Sequence, residues 1–185
     1  MYTEIRDGFM FRGGHVALDL TATLTGRREG APREWLGTAK DLARWLKAAG
    51  METSEVSSEN LKTARDLREI VHRLVAARIN GAGLDDGDRD RLNSLAREGA
   101  APELTAADEA RWRGGPRALL SSIAAEAVWI LGNDRAPRLR QCEGEDCAIL
   151  FYDISRAGER RWCSMTACGN KAKAAGFRSR RTDRV

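Results

Sequence analysis

Cys142-Glu143-Gly144-Glu145-Asp146-Cys147 and Cys163-Ser164-Met165-Thr166-Ala167-Cys168 hold all four cysteines of this 185-residue chain, in the pattern C-x4-C-x15-C-x4-C. Two ligands a few residues apart let one tight turn present both sulfurs to a single ion, and two such pairs complete the tetrahedron that zinc takes in closed structural sites. Cys142, Cys147, Cys163 and Cys168 are therefore the expected ligands of one structural Zn2+. Gly144 is expected to supply the backbone freedom of the first turn. Ser164 is expected to cap a helix that carries Cys168 in its first turn and continues through Lys171, Ala174 and Ala175. Ile149, Phe151 and Tyr152, with a return past Gly158 to Trp162, read as a β-hairpin between the pairs. Trp162 is expected to pack beside the metal. Knuckle, hairpin and helix make a treble-clef-like finger. Two disulfides would need an oxidising compartment, and the start Met1-Tyr2-Thr3-Glu4-Ile5-Arg6-Asp7 has neither the basic nor the apolar region of a secretory signal. An iron–sulfur cluster uses the same thiolates, and spacing alone does not separate it from zinc; unmetallated thiols also stay open. A segment of under 50 residues with so few apolar groups would lean on its metal to fold.

Upstream of the cysteines the chain reads as one mainly helical α+β domain over 1–135, joined near Gly132–Pro137 to the finger and basic tail at 138–185. Val16, Leu18 and Leu20 alternate with Ala17, Asp19 and Thr21, which predicts a half-buried strand with Asp19 facing solvent. Thr38 caps a helix whose Leu42, Trp45, Leu46 and Ala49 share a face, stopped by Gly50. Ser57 or Ser58 starts a longer helix to about Asn80 with the stripe Leu61, Ala64, Leu67, Val71 and Leu74. A short helix carries Leu92 and Leu95, and a hairpin ends near Trp112. Pro116 opens the most apolar helix, expected to be central. Trp35, Trp45, Trp112 and Trp129 are expected to be core or partly buried. His15 and His72 read as ordinary packed or surface residues, and Asp85–Asp90 as a solvated helix start rather than a calcium loop.

Net charge is +4, but its distribution is uneven. Residues 138–185 hold 11 Lys/Arg against 6 Asp/Glu, and the first 137 hold 20 against 21. A neutral body with a basic end points to an anionic partner. Arg160, Arg161, Lys171, Lys173, Arg178, Arg180 and Arg181 are the candidate phosphate contacts, and Asn170 a candidate base contact, since asparagine pairs with adenine. Two other readings stay open: the arginines balance a dianionic metal site, or the finger docks on protein. No stretch approaches the apolar length of a membrane span, and a cytoplasmic location is expected. No catalytic triad, phosphate loop or dinucleotide fingerprint occurs at a convincing spacing, so the chain reads as a non-enzyme.

Cys142-x4-Cys147, Leu150-Phe151-Tyr152-Asp153-Ile154-Ser155-Arg156 and Arg160-Arg161-Trp162-Cys163-Ser164-Met165-x-x-Cys168-Gly169-Asn170-Lys171 together resemble the CGNR zinc-finger family over about 40 residues. Lys171 stands where the family has its namesake arginine, which keeps the charge but loses the planar fork. Gly13-Gly14-x-Val16-Ala17-Leu18-Asp19-Leu20 and Asp41-Leu42-Ala43-Arg44-Trp45-Leu46 are similar to the ABATE domain that usually precedes this finger, with Ala22 in place of an expected asparagine. The resemblance implies a zinc-dependent, DNA-binding transcription regulator linked to stress responses. Its N-terminal domain would sense a small-molecule effector or mediate association, homodimerisation included. The alternative is a ligand-binding N-terminal domain with a purely structural or protein-docking finger.

Overall fold

The computed structural model describes residues 4–175 apart from Ser54 and Asn133. Its frame is a set of helices: α1 (Val16–Thr21), α2 (Ala39–Ala48), α3 (Ser58–Ile79), α4 (Asp86–Leu95) and α5 (Pro116–Leu131). Thr38 and Ser57 each accept from the backbone N–H three residues on, while Asp41 and Asn60 bond back to the cap backbone. Two donors at each helix start are thereby satisfied from within six residues of sequence, which is why both starts were readable. Asp85 caps α4 by accepting from Asp88 N–H, and Asp88 in turn takes both arms of Arg73 at 2.7 Å. The aspartate run is thus a helix start. Pro116 occupies the first turn of α5.

α5 and α3 pack against each other, with α1 and α4 closing the sides. Leu119, Leu120, Ile123, Ala124, Ala127 and Ile130 of α5 are fully or almost fully buried, so this helix is central as expected. Leu61, Ala64, Leu67, Val71 and Leu74 of α3 are buried with it. Arg68 is buried in the same stripe, only 4% exposed. It is tolerated because Glu34 takes it bidentately at 2.7 and 2.8 Å and Glu69 accepts from its Nε at 2.8 Å. His72 is held neutral by burial, its pKa pushed down to about 4.

Small sheets decorate this frame. β1 (Ile5–Arg6) pairs with β2 (Phe9–Met10), and β3 (Leu24–Thr25) with β4 (Arg33–Glu34), both antiparallel. β5 (Met51–Glu52) runs parallel to β7 (Ala110–Arg113), which forms the expected hairpin with β6 (Pro102–Leu104). β8 (Leu139–Gln141) pairs antiparallel with β9 (Leu150–Tyr152).

Two expectations are corrected here. Residues 16–21 form a helix, not a strand, and everything from Ala17 to Thr21 is buried. The apparent alternation has no solvent side: Asp19 is 4% exposed. Its carboxylate accepts the Gly13 N–H at 2.7 Å, and Glu126 of α5 accepts the Ala17 N–H at 2.8 Å. A partner more than 100 residues away satisfies this helix start, which local periodicity cannot see. Gly13 is required by close approach, since a Cβ there would lie 2.6 Å from that of Leu18. Trp129 is the second correction. It is 49% exposed, covered on one face by the Arg135 guanidinium at 3.9 Å, whereas Trp45 is fully buried and Trp35 and Trp112 are partly so.

The strand β9 lies between two apolar clusters. Leu150 and Tyr152 pack into the main core together with Leu139. Phe151 points to the other side, into a small cluster with Ala22, Ile149, Cys142 and Cys163. Period-two alternation places the finger on one face of β9 and the helical body on the other. The Tyr152 N–H donates to Gly13 O at 2.8 Å, tying the strand to the turn before α1.

Candidate metal centre

The fold brings the four cysteines together, all sulfurs within 4.8 Å of one another. Cys163 lies 3.8 Å from Cys147 and 3.7 Å from Cys168, sulfur to sulfur. A tetrahedron with zinc–sulfur bonds of about 2.3 Å has edges of about 3.8 Å, so the spacing fits one ion. It is far beyond the roughly 2.05 Å of a disulfide, and a polynuclear cluster would hold its cysteines wider apart. Four thiolates leave no open position for a catalytic water; bound zinc supplies cross-linking rather than reactivity.

Each knuckle is shaped by backbone bonds that end on the sulfurs or beside them. Gly144 N–H and Cys163 N–H point at Cys142 Sγ, at 3.5 and 3.4 Å. Gly144 is needed for space rather than for an unusual φ: a Cβ there would stand 3.0 Å from Cys147 Cβ and 3.4–3.5 Å from the sulfurs of Cys168 and Cys142. The second knuckle begins at Ser164, whose Oγ accepts from Ala167 N–H. Ser164 O then accepts both Cys168 N–H at 3.1 Å and Gly169 N–H at 3.0 Å. This widened π-type turn over Met165–Gly169 leads into helix at 170–175, so Cys168 sits at the helix start as expected. Trp162 packs against the cysteine cluster, also as expected.

The hairpin differs from the sequence reading. β9 pairs with β8, so the ladder encloses the first knuckle instead of linking the two pairs. The return past Gly158 forms no strand, because side chains hold it instead. Asp153, fully buried, accepts from Ser155 N–H and Arg160 N–H, both at 2.8 Å. Burial alone would raise its pKa, but these bonds outweigh it and the carboxylate is held below its usual range. Arg138 donates to Ser155 O at 2.7 Å and Arg140 to Gly158 O at 2.8 Å.

A divalent cation at the centre favours all four cysteines as thiolates.

A family model for the CGNR zinc finger matches residues 138–181, and one for ABATE, described as "Putative stress-induced transcription regulator", matches residues 14–134. The chain belongs to the ABATE family. Its C-terminal module is a CGNR zinc finger that holds one structural zinc through the cysteine cluster. No curated protein matches the chain. The two ABATE and CGNR segments meet at the link between α5 and β8, and no described helix is long and apolar enough to cross a membrane.

The basic candidates separate into three groups. Arg160 is turned inward: its Nε donates to Trp162 O at 2.7 Å, it also reaches Cys163 O, and its guanidinium lies 4.9 Å from the Phe151 ring centroid. Those contacts make it a brace of the metal loop. Arg161 and Lys171 are exposed but paired, with Glu143 at 2.6 Å and with Asp146 respectively. Asn170 and Lys173 are exposed. Arg178, Arg180 and Arg181 lie outside the described residues. Missed in the sequence were Arg138 and Arg140, counted there only as charge, and Glu4, whose carboxylate accepts from Ser164 Oγ at 2.7 Å across 160 residues. No local signal marks Glu4.

Proposed function

We propose that this ABATE-family protein is a cytoplasmic DNA-binding regulator that acts by binding rather than catalysis. The observation that carries the reading is the helix following Cys168, which presents Asn170, Lys171 and Lys173 on the exposed side of a zinc-held module next to Arg161. Zinc gives that short segment a fixed shape, and cations on a fixed shape can match the phosphate spacing of a duplex. The pairing of Arg161 and Lys171 with exposed carboxylates does not oppose this. Such surface pairs are worth under about 1 kcal/mol and exchange readily for phosphate.

The same ion pairs favour a second reading. Glu143–Arg161 and Asp146–Lys171 both join the first knuckle to the second, so the charges would serve to close the finger, which then docks structurally on the body. A salt-series titration of zinc-loaded full-length protein with a pool of its own genomic DNA fragments, followed by sequencing of what is retained, separates the two. Enrichment of particular fragments, with affinity falling steeply as salt rises, supports the regulator. Absence of retention at low salt leaves the structural finger.

A further inference from the structure

A cleft of about 580 Å³ lies between the ABATE body and the finger, within the range of small-molecule sites. Met10, Ala22, Leu24 and Trp35 line it from the body, and Ile149 and Ala172 from the finger. The zinc ligands Cys147 and Cys168 form part of the same wall. Charged side chains line it as well: Arg12, Arg33 and Lys171, with the carboxylates Glu143, Glu145 and Asp146 at the rim. Arg12 has a side chain only 13% exposed, and its Nε approaches the Glu4 carboxylate at 3.4 Å without a hydrogen bond. Among the described residues that is its sole polar contact. Glu4 is itself engaged by Ser164 Oγ. The Arg12 Nε is buried without a hydrogen-bond acceptor, and a guanidinium donor left unmet in a largely buried place is costly. Two of the three carboxylates at the cleft rim, Glu143 and Asp146, are already paired with Arg161 and Lys171.

We propose that this cleft binds a small apolar molecule bearing a carboxylate, which Arg12 receives, and that its occupancy holds the finger against the body. The apolar part fills the space over Ala22, Leu24 and Trp35, and the acid meets the Arg12 guanidinium, whose buried Nε lacks a hydrogen bond. Because Cys147 and Cys168 belong to the wall, a bound molecule bridges the zinc module and the body and opposes the opening through which zinc escapes. Binding itself is independent of the regulator reading; only its use as a signal rests on that reading.

The test uses zinc-loaded full-length protein with 2-naphthoate and its neutral counterpart 2-naphthalenemethanol, by calorimetric titration. The acid should bind at one equivalent per chain and about tenfold or more tighter than the alcohol, the increment expected of a charge-assisted pair. Arg12→Met should erase the difference between them. Ala172→Trp, at a partly exposed finger position, should fill the cleft and abolish binding of both. Naphthoate should also slow zinc transfer to a chelator in the wild type and leave Ala172→Trp unchanged. Equal affinity for acid and alcohol in the wild type overturns the assignment, and this comparison stands even if Arg12→Met misfolds. Unaltered binding by Ala172→Trp overturns the location, and zinc transfer indifferent to naphthoate overturns the coupling. Protein that retains DNA but takes no naphthoate loses this proposal alone; protein that takes naphthoate but retains no DNA loses the DNA reading alone.

Discussion

Asp19→Asn should stabilise the protein at alkaline pH and leave it nearly unchanged in acid. Asp19 is almost fully buried, and burial, offset only in part by the Gly13 N–H, pushes its pKa from 3.8 up to about 7. The folded state therefore holds this proton more tightly than the unfolded chain does. Between pH 3.8 and about 7 the native state binds more protons, so its stability falls as pH rises, and the loss is complete above about 7. At 1.36 kcal/mol per pKa unit, the ionised carboxylate costs ~4 kcal/mol above that window. Asparagine keeps the shape and an oxygen for Gly13 N–H but carries no charge. The assay is chemical denaturation of both proteins at intervals from pH 4 to 9, with saturating zinc, read by far-ultraviolet circular dichroism. Taking the difference between the two curves removes every titration they share, including that of the thiolates. The variant's advantage should be near zero at pH 4, grow through pH 5 to 7 and level off above 7. A difference that stays flat with pH, or that favours the wild type at pH 8, would refute the account of Asp19 as a buried acid.

Cys163→Ser should abolish stoichiometric zinc, measured by atomic absorption, and lower the thermal midpoint of the whole chain; one tightly held zinc per chain with an unchanged melt would exclude the four-thiolate site. Gly144→Val should weaken zinc retention against a chelator, because its branched side chain must enter space already shared by three of the cysteine side chains; retention equal to wild type would show that the knuckle opens freely. Lys173→Ala should lower the slope of log affinity for DNA against log salt by about 0.9, one phosphate contact, and Arg180→Ala with Arg181→Ala by about twice that. An unaltered slope in either case removes those residues from the interface.

Legibility followed the range of the interactions. The cysteine cluster was readable because its ligands lie in two pairs with six residues each from end to end, and the starts of α2 and α3 because their capping partners are three residues away. α1 was misread because Glu126 and Gly13, which fix it, are respectively distant and silent in a hydrophobic pattern. The strand reading also put Asp19 on a solvent face that the fold does not have. In the finger, charge alone could not distinguish Arg160, Arg138 and Arg140, spent on backbone carbonyls of the loop, from Lys173, which remains exposed. The π-type turn at Cys168 hid behind an ordinary helix signal, since Ser164 caps either geometry. The cleft had no sequence signature, because Arg12, Trp35 and Ala172 meet only when body and finger are assembled.

That assembly bears on what zinc does for the protein. A short finger with few apolar groups could have hung from the body as a separate bead, with the metal as its private support. Instead β9 alternates between two cores, Phe151 inward to the cysteines and Leu150 and Tyr152 inward to the helices. Leu139 and Leu150, both essentially unexposed, would each forfeit about 1.5–3 kcal/mol of burial if the finger came away. Tyr152 N–H would lose Gly13 O, on the same residue whose N–H bonds Asp19. Zinc binding energy therefore reaches the helical body through β9 and Leu139, with the Ser164–Glu4 hydrogen bond as a second link. By the same linkage, anything that steadies the body against β9 must tighten the hold on zinc, and a reciprocal coupling of that kind lets an event at the ABATE body be read at the finger.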